Sequence, residues 1–211
     1  MFQHLIQPLA GLLQPAFSCL LCGIDQQQRH GLCHDCWQQL PWMEQPLITR
    51  QEQDIHAMLH YGFPVDRMIH YFKYEQQLAF QTVLSHCLLQ AKLPRVQAIV
   101  PMPISEQRLL GRGYNQMQVI AELMAKQLRL PIWQPVLRSA QHAQKGLSRL
   151  ERLENIEQQF RPLPSERKKY RRVLLIDDVV TTGSSLIAMK NALQRLGCQQ
   201  VHCLCIAAAE L

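Results

Sequence analysis

The chain has 211 residues, 47% of them hydrophobic and 18% charged, which suits one ordinary domain plus a small appendage and excludes a disordered or fibrous protein. Its 22 Lys and Arg against 16 Asp and Glu leave a formal charge of +6, a mild lean toward anionic partners that falls to about +4 if four thiolates hold one Zn²⁺. The opening MFQHLIQPLAGLLQPAF has neither a basic leader region nor an apolar run long enough for a bilayer, so no membrane span and no secretory signal are expected.

Without such a signal, eight cysteines point to a reducing, cytoplasmic setting, where paired cysteines read as metal ligands before disulfides. Cys19-Leu-Leu-Cys22 and Cys33-His-Asp-Cys36 are C-x-x-C knuckles joined by a polar Gln- and Gly-rich loop. Four sulfur donors in tetrahedral array suit Zn²⁺. A redox pair, an iron–sulfur cluster or unrelated buried cysteines are the alternatives, and duplication at knuckle spacing favours structural zinc. With every position filled by sulfur, such a site holds a module together and has no place for substrate. His30 and His34 are expected as exposed loop residues, and Cys87, Cys198, Cys203 and Cys205 as core.

Residues 41–53 are polar, with Pro41 and Pro46, and read as a linker between a zinc module at 1–45 and a larger domain at 54–211. Ile55, Ala57, Leu59 and Tyr61 alternate as a strand. Met68, Ile69 and Phe72 mark a short helix ending near Lys73, residues 78–92 a second helix, and Ala98-Ile99-Val100 a buried strand. A helix over 113–128 carries Met117, Ile120, Ala121, Met124 and Leu128 on one stripe. A strand is predicted over 132–137, another over 173–176, and a helix with Leu186, Met189, Leu193 and Leu196 inward and Gly197 at its end. A last strand covers 201–207. Alternating strands and helices predict an α/β fold with a parallel sheet flanked by helices.

The chemistry centres on VLLIDDVVTTGSS at 173–185. Ligands of open α/β sheets bind beyond the carboxyl ends of the strands, where Asp177 and Asp178 are expected. Carboxylates can hold vicinal hydroxyls or help position hydrated Mg²⁺. Thr181, Thr182, Gly183, Ser184 and Ser185 then offer hydroxyls and free backbone N–H groups at a helix start, an anion site, with Gly183 expected to let the backbone approach a phosphate closely. Together these describe a ribose 5-phosphate. A strand, an Asp turn and a Thr/Ser helix cap is the plainer alternative. Neither a G-x-x-x-x-G-K-[ST] loop nor a G-x-G-x-x-G turn is present, which disfavours ATP-type and dinucleotide sites.

This stretch resembles the 5-phosphoribosyl 1-pyrophosphate (PRPP) motif of type I phosphoribosyltransferases. VPMPIS at 100–105, RGYNQ at 112–116, QKGLSRLERLEN at 144–155 and the four-cysteine module narrow the resemblance to the ComF/GntX family. The resemblance implies that Asp177 and Asp178 contact the ribose at the catalytic centre while Thr181 to Ser185 cradle the 5-phosphate. It also implies a pyrophosphate loop over 101–105, with Pro103 and Ser105, and neutralisation by Lys73, Arg108 and Arg112. Tyr114 and Asn115 would be loop contacts or only a helix start. The substrate-covering loop would span 144–155, with Gln144, Lys145, Arg149 and Arg152. Ser185 stands where Thr is usual, and Gln141 and His142 where the family often has Thr.

Mg²⁺ would accompany PRPP. The residues keep the donor half of a transferase but no recognisable acceptor pocket, so three roles stay open: DNA uptake or utilisation, phosphoribosyl transfer to an unidentified base, and PRPP sensing. The family association with external DNA implies single-stranded DNA and DNA-uptake proteins as partners. RKKYRR at 167–172 fits nucleic-acid contact or a solvated basic edge. No interleaved aromatic stacking platform is recognisable in the sequence.

Overall fold

Parallel strands buried on both faces need continuous apolar runs, and the chain supplies several. The computed structural model describes residues 18–27, 30–139, 158–163 and 169–210. After the short helix α1 (His34–Gln38), strands β1 (Leu47–Arg50) and β2 (Gln53–His60) form a hairpin. Helices α2 (Val65–Tyr74) and α3 (Phe80–Leu89) lead to β3 (Ala98–Pro101), followed by α4 (Glu106–Arg112) and α5 (Gln116–Leu128). A ribbon of β4 (Val136–Arg138) and β5 (Phe160–Pro162) precedes β6 (Arg172–Val180), α6 (Ser184–Arg195) and β7 (Gln200–Ala208).

The main sheet has five strands in the order β1-β2-β7-β6-β3. The last four are mutually parallel, and β1 closes one edge antiparallel to β2. Val173, Leu174, Leu175 and Ile176 on β6 and Cys203, Leu204, Cys205 and Ile206 on β7 are all buried, as are Cys87 and Cys198. Helices α3 and α5 pack together on this sheet, while α6 packs on β5, β6 and β7. The α5 stripe of Met117, Ile120, Ala121 and Met124 is buried as the periodicity predicts. Among the described residues, no helix is long and apolar enough to cross a membrane.

Four differences from the sequence reading matter for the site. The segment expected as a linker holds β1, whose Ile48 pairs with Ile55. The helix expected over 113–128 begins only at Gln116, because Gly113 takes φ 81° at the end of a separate helix, α4, that the sequence reading does not predict, and Asn115 caps α5. The strand expected over 132–137 is confined to β4, with Ile132 making only an isolated bridge to Ile99. Most important, β6 does not stop at its acids. Asp177 pairs with Cys205 and the strand runs on to Val180, because Val179 and Val180 continue the ladder with Ala207 and Ala208.

Candidate functional site

The amino-terminal cluster is built by two tight turns. Gly23 N–H donates to Cys19 O at 2.9 Å and Cys19 N–H to Asp25 O at 2.7 Å, closing the first knuckle. Cys33 caps α1, its Sγ accepting from Cys36 N–H at 3.5 Å. The sulfurs of Cys19, Cys22, Cys33 and Cys36 all lie within 4.8 Å of one another, with Cys22 and Cys33 at 3.9 Å. A tetrahedral ion with Zn–S of about 2.3 Å spaces its sulfurs by about 3.8 Å, so the set suits Zn²⁺ once its wider separations contract by about 1 Å.

Burial pushes the Cys19 thiol up, but N–H groups of Cys22, Cys33 and Leu21 outweigh it and hold the group at about 6. Burial and the neighbouring sulfurs push Cys36 up. Thiols this close resist joint ionisation until a cation sits among them. No histidine joins the cluster among the described residues. His34 is exposed as expected, whereas His30 is not a free loop residue, because its ring stacks on His86 at 3.5 Å.

At the carboxyl end of the parallel sheet, Asp177 and Asp178 project to opposite faces of β6, as adjacent strand residues must. Asp178 is only 8% exposed. Its Oδ1 meets Lys73 Nζ at 2.8 Å and accepts from Val179 N–H at 2.7 Å, while its Oδ2 accepts from Gln116 Nε2 at 2.9 Å. Gln116 Oε1 in turn accepts from Arg112 Nη1 at 2.6 Å. Helices α2, α4 and α5 are thereby tied to one carboxylate.

Asp177 stands differently. Its Oδ1 accepts from Asp178 N–H at 2.9 Å. Burial first, then the Asp178 charge beside it, push its carboxyl up to about 7, against the pull of Lys73 and Arg138.

Residues 179–186 with Asp177 line a pocket of about 180 Å³ at the amino end of α6. Thr182 Oγ1 and Ser184 Oγ are 3.0 Å apart, and Gln51 Nε2 donates to Ser184 Oγ at 3.0 Å. Arg50 braces the turn from outside, donating to Thr181 O at 3.1 Å and Ala209 O at 3.3 Å. Gly183 has φ +80°, and a Cβ there would meet Arg50 Cβ at 3.0 Å and Ile55 Cδ1 at 3.4 Å. Its glycine is therefore required by backbone conformation and by the β1–β2 hairpin, a structural reason that the sequence does not show.

A second polar pocket, of about 200 Å³, is lined by Ser105, Gln107, Arg108, Arg138, Ser139 and Gln159. Ser105 caps α4, accepting from Arg108 N–H at 3.4 Å. Arg138 reaches from this pocket to Ser185, donating from Nη2 at 3.4 Å, and lies over the Phe160 ring. Burial pulls its pKa down, and the charges of Asp177 and Asp178 oppose that. Gln159 is buried, and its Oε1 has no hydrogen-bond partner among the described residues.

The structure thus gathers Lys73, Arg112, Asp177, Asp178, Ser105 and the turn of Thr181, Thr182, Gly183, Ser184 and Ser185 at one end of the sheet. Lys73 is bound to Asp178, and Pro103 is half-buried between β3 and α4. Asn115 is a helix start, accepting from Met117 N–H at 2.9 Å, and Tyr114 donates its hydroxyl to Phe72 O. Gln141, His142, Gln144, Lys145, Arg149 and Arg152 lie outside the described residues, as do Arg167 and Lys168. Arg171 and Arg172 sit at the amino end of β6, where both backbone N–H groups donate to Gln97 Oε1. The sequence reading gave no role to Gln116, Arg138, Arg50 or Gln51. For Gln116 a signal existed, a polar residue beside the buried Met117 stripe.

A Phosphoribosyl transferase domain model matches residues 118–210, and a Double zinc ribbon domain model matches residues 9–50. The chain is 30% identical over 197 residues to Competence protein F of Haemophilus influenzae, covering 87% of this chain and 81% of that protein. It is 30% identical over 202 residues to DNA utilization protein YhgH of Escherichia coli K12, covering 89% and 83%. Competence protein ComFC of Bacillus subtilis is 26% identical over 172 residues, covering 80% and 68%. Sulfur geometry and the ribbon match together identify a structural zinc site. The parallel sheet and its helices are those of a phosphoribosyl transferase domain.

Proposed function

The chain belongs to the ComF family, and on that premise we propose that it binds PRPP and serves DNA uptake or the utilisation of external DNA. The observation that carries the ligand reading is the pair of polar pockets joined by Arg138. One offers hydroxyls and the amino end of a twelve-residue helix, which suits a 5-phosphate. The other offers Arg108 and Arg138, which suit a pyrophosphate. Asp177 lines the first pocket and is the carboxylate placed to accept from ribose hydroxyls. Asp178, with both oxygens engaged, positions Lys73 and Gln116 instead.

Mg²⁺, bound along with the ligand, would neutralise pyrophosphate charge. Transfer to a base would then need little acid–base help from the chain, because holding the ribosyl group and stabilising the departing anion are the main tasks. Whether a base accepts the group or the bound ligand is a signal depends on an acceptor, and the DNA role is the one the relatives' names support.

Calorimetry of the zinc-loaded protein with PRPP and Mg²⁺ tests the reading, with ribose 5-phosphate as competitor. Both ligands should bind at one shared site. Arg138→Gln should weaken PRPP by about tenfold or more, the loss of a charge-assisted contact, and ribose 5-phosphate less. A parent protein that binds neither ligand refutes the proposal.

A further inference from the structure

Helix α2 leaves one face to solvent, and that face is built in a particular way. Phe63 just before the helix is 83% exposed and Tyr74 at its end 61% exposed. Arg67, His70 and Tyr71 fall between them at helical spacing. Phe63, Arg67 and Tyr71 line a cleft of about 640 Å³ together with Leu20, Leu21 and Cys22 of the zinc module. From the cleft the rings continue outward. His70 lies 6.1 Å from Tyr71 and 5.2 Å from Tyr74, and the Arg112 guanidinium sits 4.8 Å over Tyr74. Arg112 holds Gln116, and Gln116 holds Asp178. The exposed face thus runs from beside the cysteine cluster to Arg112, and buried Gln116 links it to Asp178.

We propose that this face binds single-stranded DNA, with bases stacked on Phe63 and Tyr74 and phosphates beside Arg67 and Arg112. The proposal rests on the DNA part of the function above and adds direct contact to it. Aromatic rings interleaved with cations are what an unpaired strand needs: every base has a π-face to stack, and every linkage carries a negative charge. A duplex keeps its bases stacked on one another and offers none. The acids on this stretch are otherwise engaged. Glu75 lies 3.6 Å from His70, and Asp66 Oδ1 accepts from Arg67 N–H at 2.8 Å. At 1.5 Å per residue the face spans about 16 Å, room for about four or five nucleotides at a stacked rise of 3.4 Å. No run of aromatics in the sequence signals the platform, because Phe63 and Tyr74 are eleven positions apart and only the helix between them sets both on one face.

The test is fluorescence anisotropy of labelled oligodeoxythymidine with the full zinc-loaded chain at low salt, measured beside PRPP calorimetry. Phe63→Ala should weaken DNA binding about tenfold, and Phe63→Ala with Tyr74→Ala about a hundredfold, as expected for lost base stacking. PRPP binding by Phe63→Ala should stay at the parent level, which separates a failure of this surface from a failure of the ligand site. Arg171→Glu with Arg172→Glu should change DNA affinity less than Phe63→Ala does. Three results overturn the proposal. They are a parent that fails to bind the oligonucleotide; Phe63 variants that bind like the parent while the Arg171 and Arg172 variant does not; and a Phe63→Ala variant that dissolves a dimer with DNA affinity unmoved, making the face a contact between copies.

Discussion

At the cysteine cluster, four sulfurs point at one another within 4.8 Å. At the carboxyl end of β6, two carboxylates adjacent in sequence point apart, one into Lys73 and Gln116 and one toward a pocket of about 180 Å³. The first site is completed by a single ion and then has nothing left to offer a ligand. In the second, Asp178 plays the closed role and Asp177 the open one, so structure and binding are divided between neighbours. Both sites gather charged donors, and whether their bonds are satisfied within the chain decides which of them can take substrate.

The largest effect should come from opening the closed site. Structural zinc in small modules contributes on the order of 10 kcal/mol to folding. Cys33→Ser with Cys36→Ser removes two of the four ligands and should abolish stoichiometric zinc, read by elemental analysis. It should also unfold the module while the main sheet persists, read by proteolysis of the amino-terminal fragment. Full zinc content in that variant would place the ion elsewhere.

Breaking the closed half of the acid pair should cost less. Lys73→Met leaves the Asp178 carboxylate buried without its cation, and removing one partner of a buried pair costs about 3–5 kcal/mol. Asp178→Asn is milder, about 1.5–3 kcal/mol, because shape and some hydrogen bonding survive. The sequence alone places Asp178 on the ligand side, where substitution would spare stability. The ion pair says otherwise: denaturant midpoints should fall in both variants, and PRPP affinity should fall with them. Unchanged midpoints would make the Lys73 contact a surface pair of little worth.

The two sites also differ in how far the sequence reveals them. The knuckles are local, so spacing alone names all four ligands. The turn of Thr181 to Ser185 is equally local, and the apolar runs of β3, β6 and β7 expose the parallel sheet. What surrounds the acids is not local. Lys73, Gln116 and Arg138 arrive from three distant elements, and only the folded sheet brings them to Asp178 and Ser185. Strand β1 was equally hidden, since its LITR has a half-exposed edge pattern that polar linkers share. Helix α4 is hidden because none of its seven residues is buried, so no apolar stripe marks it.

The last effect comes from the open acid and is confined to a window of pH. The Asp177 carboxyl is pushed up to about 7 by burial and by Asp178, against about 3.9 for an unfolded chain. Between those values the folded protein holds a proton that the unfolded chain has lost, so stability falls as pH rises from about 4 to about 7 and levels off above. Asp177→Asn cannot ionise, and its thermal midpoint should decline less than the parent's across that window. Ligand binding sharpens the same point. A carboxylate accepting ribose hydroxyls must be ionised, so PRPP binding near pH 6 should release part of a proton, measured as a dependence of binding heat on the ionisation enthalpy of the buffer. At pH 8 the group is already charged, and that release should vanish. In Asp177→Asn the release at pH 6 should shrink to what the ligand's own phosphates supply, since their second pKa is about 6, and a parent and variant with the same buffer dependence would leave Asp177 outside the ligand site.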